Sequence, residues 1–149
     1  LLHLYTVIEF SLLVWCLGQL LALHRNFIFF LQLAFLLFAG TNALYFQDIW
    51  HFNTNARGLE CLLLIIFSLK YYHQLFVALK VTQLEKDAGF WLSTSILIYF
   101  SANLFIFIFS NVILLDYVEL LGKIWWIHST LNILFYLLLS ISLLCNRTQ

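Results

Sequence analysis

The stretch FWLSTSILIYFSANLFIFIF, Phe90 to Phe109, runs twenty residues without a charged side chain. At 1.5 Å of rise per residue, a helix of that length reaches about 30 Å, the thickness of a bilayer's hydrocarbon core. Four comparable stretches flank it. HLYTVIEFSLLVWCLGQLLAL covers His3 to Leu23, and FIFFLQLAFLLFAGTNALYF covers Phe27 to Phe46. GLECLLLIIFSLKYYHQLFVAL covers Gly58 to Leu79, and the last stretch covers Ile124 to Leu144. Polar breaks at His24–Asn26, Gln47–Arg57 and Lys80–Gly89 separate the first four, and a further connection, Ser110–Lys123, leads to the fifth. The pattern predicts an all-α integral membrane bundle: one domain, residues 1–149, of five transmembrane helices.

Composition excludes the main alternative. Apolar residues are 64% of the chain and charged ones 9%, against roughly 25% charged in soluble domains. A 17.6 kDa domain has too little interior to hide five helices that are apolar all round. The formal net charge is zero, which gives no basis for a nucleic-acid partner. The chain has no methionine, so it is expected to be a processed or truncated form. Proline is also absent, so the helices are expected to run unbroken, unlike the interrupted helices common in transporters.

Orientation follows from the Lys and Arg residues of short loops. Arg25, Lys80, Lys86 and Arg147 fall on one side, with Lys70 near that end of its span. Arg57 and Lys123 fall on the other. The excess predicts the N-terminus outside and the C-terminus inside. Trp50, Trp91, Trp125 and Trp126 lie near expected span ends, as an interfacial aromatic belt requires. Within the last connection, Val112 to Gly122 reads as a short helix along the outer interface, with Asp116 and Glu119 on one face.

Polar groups inside a membrane are costly and often mark function. Here they concentrate in the expected outer half, at His3, Thr6, Glu9, Asn42, Glu60, Asn103, His128, Ser129 and Asn132. Glu9, Asn42, Glu60, Asn103, His128 and Asn132 form the candidate ligand-binding cluster. Ser95, Tyr99 and Asn103 recur at i+4, as do His128, Asn132, Tyr136 and Ser140, so both series predict an inward-facing stripe. Two readings stand: polar glue between helices, or an outward-facing polar pocket. Lys70 and His73 form a second polar pair near the inner side. A pathway between the two levels would run by Gln19, Gln32, Ser95 and Tyr99.

No catalytic residue is expected. The chain lacks HExxH, GxSxG and a glycine-rich phosphate loop. Cys16, Cys61 and Cys145 have no CxxC or metal-ligand spacing. No cofactor or metal is therefore expected. The pairs His3/His128 and His24/His73 keep a dihaem arrangement as an alternative.

LEKDAGFWLSTSILIYFSANLFIFIFS (Leu84 to Ser110) and IWWIHSTLNILFYLLLSISLLC (Ile124 to Cys145) resemble small multi-span inner-membrane proteins of Bacteroidetes-type bacteria. The resemblance rests on Lys86-Asp87, Phe90-Trp91, Tyr99-Phe100-Ser101, Asn103, Ile127-His128 and Asn132. That family is similar to membrane input modules of bacterial signalling proteins. The resemblance implies a non-enzymatic sensing input or accessory subunit in a bacterial inner membrane. Its partners would be the lipid bilayer and other membrane subunits, or further copies of itself. The alternatives are a small ion or proton-coupled channel or transporter using Glu9, Glu60 and Lys70, and a haem- or quinone-binding redox subunit.

Overall fold

The computed structural model describes residues 2–46, 54–78, 83–116 and 118–147. All their regular structure is helical: α1 Leu2–Leu20, α2 Arg25–Thr41, α3 Thr54–Ala78, α4 Ala88–Asp116 and α5 Val118–Arg147. A π turn, Asn42–Phe46, continues α2, and a 3-10 turn, Leu84–Lys86, precedes α4. Each of the five helices contains a segment long and apolar enough to cross a membrane. Trp50 and Lys80 lie outside the described residues.

α4 packs extensively against α3 on one side and α5 on the other. α1 packs against α3 and carries α2 on its outer side. Residue spacing explains which face turns inward. On α1, Thr6, Phe10, Val14 and Leu17 are buried, three or four residues apart, and Leu21 just past its end continues the series. On α4 the buried face is Ser95/Ile96, Tyr99/Phe100, Asn103 and Phe107. The outward faces stay apolar: Phe29, Phe30, Leu37, Phe105, Ile133 and Leu143 are all largely exposed. A water-soluble surface would be polar there.

The α4–α5 connection differs from the expected interfacial helix. α4 has 29 residues and continues through Asp116; α5 has 30 and begins at Val118. Asp116 therefore ends one long helix and Glu119 falls in the first turn of the next. The continuous apolar run across Val112–Leu115 lets α4 extend without a break.

The α5 stripe also differs. Tyr136 and Ser140 are exposed and Asn132 is only partly buried. The inward residues are Phe135 and Ser142, with His128 partly buried, so they recur at i+7 rather than i+4. A strict i+4 series drifts around a helix of 3.6 residues per turn, whereas i+7 stays on one face.

Local chemistry fixes the helix ends. Ala22, with φ of 49°, turns the chain out of α1, and the Leu23 N–H donates back to the Gly18 carbonyl at 2.9 Å. Asp87 caps α4: its Oδ1 accepts the Phe90 N–H at 2.5 Å and the Tyr71 hydroxyl at 2.7 Å. Gly89 makes that Tyr71 contact feasible, because a Cβ there would overlap the phenol. We expect Gly89→Val to destabilise the bundle by about 1–3 kcal/mol through overpacking. Unfolding in mixed detergent–SDS micelles measures this, with Gly40→Ala, whose added Cβ meets no neighbour, as control.

Candidate functional site: an arginine held between two glutamates

The first residues of α3 determine the site. α3 begins at Thr54, so Arg57 stands inside the first turn of a helix rather than ending a polar loop. One helical turn later comes Glu60, whose side chain is fully buried. On the neighbouring α1, Glu9 lies on the side turned towards α3. Arg57 bridges the two acids: its Nη1 donates to Oε2 of Glu60 at 2.9 Å and to Oε2 of Glu9. Glu9 accepts a second bond on Oε1 from the Tyr5 hydroxyl, at 3.0 Å.

Two aromatic faces complete the arginine's surroundings. Its Cζ lies 5.1 Å from the Tyr5 ring centroid and 5.0 Å from that of Phe107. Arginine suits such a place, because a planar guanidinium can stack on rings and still donate in its own plane. Formally the triad carries one excess negative charge: two carboxylates against one guanidinium. Glu60 Oε1 is buried and receives no hydrogen bond from the described residues. Leaving a buried acceptor unmatched typically costs about 1–3 kcal/mol.

A second polar pair lies beside the first. Asn103 Nδ2 donates to the Tyr99 carbonyl at 2.8 Å. Its Oδ1 then faces α5 and accepts from His128 Nδ1 at 2.8 Å. Phe107 is shared: Arg57 sits over its ring and the His128 imidazole meets it edge-on at 5.5 Å. Tyr99 and Trp125 also pack against the imidazole. Glu9, Glu60 and His128 each lie six residues inside their candidate spans, about 9 Å of helix. The site is thus a layer across α1, α3, α4 and α5 near the N-terminal end of the bundle.

The other expected site residues separate by position. Asn42, at the start of the π turn, accepts from Asn55 Nδ2 at 2.9 Å and so ties α2 to α3 just above the triad. Asn132 lies one turn below His128 and is partly buried, outside the bonded cluster. Lys70 and His73 are exposed on α3 and do not face the interior. The expected pathway towards them is interrupted. Gln19 is exposed, and Gln32 donates to the Ser11 carbonyl at 2.9 Å. Below the triad, Phe10, Val14, Leu64, Ile96 and Phe100 are almost wholly buried.

Access to the site is lateral. A cleft of about 220 Å³ between α1 and α5 is lined by Tyr5, Glu9, Phe135 and Tyr136. A larger one of about 440 Å³ follows towards the C-terminal end, past Leu13 and Leu139, to Gln19, Ser142 and Asn146. Among the described residues no group of three or more His, Cys, Asp or Glu could hold a metal ion.

Arg57 was missed in the sequence because it read as a loop cation setting orientation. The available signal was its spacing: Arg57 and Glu60 are i, i+3, a pair that meets if the helix starts early. The chain matches no protein-family model, no curated protein and no solved structure.

Proposed function

We propose that this chain is a non-enzymatic membrane module, a sensing input or accessory subunit of a larger complex in a bacterial inner membrane. The observation that carries this reading is the one-ended charged site. Glu9, Arg57 and Glu60 are joined near one end of the bundle, and an apolar layer separates them from the other. Such a site can receive a signal at one surface and change how α1, α3 and α4 pack. The apolar outer faces of α2 and α5 offer helix-sized surfaces to lipid or to partner subunits.

The orientation proposed from the loops, N-terminus outside, gains support from Arg57. An arginine serving as an interior counter-ion drops out of the loop count, which leaves Lys123 against the four or five cations of the other side. The charged site then lies in the outer half of the membrane.

Purification in a mild detergent, followed by mass analysis of the intact particle, tests the module reading. We expect a second membrane protein at fixed stoichiometry. A homo-oligomer without partner, showing proton or cation flux in liposomes that Glu9→Gln and Glu60→Gln abolish, would instead establish the transporter alternative. The apolar layer predicts no such flux. The redox alternative fits less well, because His24 and His73 are exposed and three aromatic rings pack around His128.

A further inference from the structure

We propose that the triad binds one proton, held on Oε1 of Glu60, and that this proton is the ligand of the one-ended site. The argument starts from charge. Two carboxylates and one guanidinium leave one negative charge uncompensated in a place largely removed from water. Hydrogen bonding then decides which oxygen carries it. Both oxygens of Glu9 receive donors, from Tyr5 and Arg57. Oε2 of Glu60 receives Arg57. Oε1 of Glu60 receives none among the described residues and is shielded from solvent. An ionised oxygen buried without a donor is the costliest polar state available there, and a neutral hydroxyl in its place costs far less.

The other charged and titratable neighbours do not remove the excess. Tyr5 faces the site from α1, Cys61 from α3, Tyr99 from α4, and His128 and Tyr136 from α5, all within electrostatic range of the cluster. Tyrosine and cysteine are neutral when protonated, and His128 donates to Asn103 rather than to either glutamate. A metal cation suits the place poorly. Hard cations need several oxygen ligands, and here one free oxygen lies beside a guanidinium that repels them. The proton needs a single acceptor.

This assignment names the ligand of the module proposed above, yet it is tested on the chain alone. Infrared spectroscopy of the purified full chain, in a detergent without ester groups, reports protonated carboxyl groups directly. At neutral pH we expect a carboxylic-acid C=O band from one of the seven acidic side chains, slow to exchange with deuterium. The band should vanish in Glu60→Gln. It should also vanish in Glu9→Gln, because Arg57 then neutralises Glu60 unaided. A wild-type spectrum without an exchange-protected acid band overturns the proposal, even if neither variant folds. A band that persists in Glu60→Gln overturns it as well. Absence of a partner subunit sinks the module reading and leaves the proton site intact. Absence of the band does the reverse.

Discussion

Replacing Arg57 by leucine is expected to destabilise the bundle by about 3–5 kcal/mol, the loss typical when one member of a buried ion pair is removed. Glu9 and Glu60 would then face each other without their shared donor, and Tyr5 and Phe107 would lose the cation between them. The penalty belongs mostly to the orphaned acids. The triple variant Glu9→Gln, Arg57→Leu, Glu60→Gln is therefore expected to recover most of the lost stability, because a neutral cluster has no buried charge to compensate. Arg57→Lys should fall between the two, since an ammonium supplies charge without a planar face for two rings. Unfolding by SDS titration from a mild detergent measures all three. A leucine variant as stable as wild type would mean that the triad is solvated and the site is not dry.

Phe100→Ala is expected to cost a similar amount, about 3–5 kcal/mol, by opening a cavity where α4 meets α5. Phe100 is wholly buried, and its ring meets Tyr99 edge-on at 5.0 Å and Phe135 at 6.1 Å. Phe105, five residues later on the same helix, is 67% exposed. Phe105→Ala should change stability by no more than about 0.5 kcal/mol. The contrast matters because transfer from detergent or lipid to a protein interior gains little from solvent alone. What Phe100 supplies is contact with its neighbours. Equal effects at the two positions would show that α4 is not packed as described.

The two phenylalanines also show what the sequence could and could not tell. Both sit in the same uncharged stretch, and hydropathy treats them alike. Length and apolarity indicated five membrane-crossing helices, and the five helices are present. Which face turns inward was legible only where polar residues marked it. Ser95, Tyr99 and Asn103 on α4 did so correctly, and all three are buried. On α5 the i+4 series misled, because a polar residue there need not be buried: the exposed Ser140 hydroxyl donates to its own helix at the Tyr136 carbonyl. The acids Glu9 and Glu60 and the pair Asn103–His128 could be placed at one depth by counting residues. Arg57 could not, because its role depends on where α3 begins, and helix starts are the least legible boundary in a chain without a strong cap signal.

The helices are also unequal in length, and a surrounding bilayer would register the difference. α2 has 17 residues and its π turn five more, together about 30 Å of helix. α4 has 29 and α5 has 30, about 43 and 45 Å. Lipids beside α2 would therefore meet a helix close to their own height, and those beside α4 and α5 would be stretched or met by tilted helices. Such a lopsided annulus relaxes when a neighbour of matching height covers the mismatched flank, so membrane thickness itself would favour one side of this molecule for assembly.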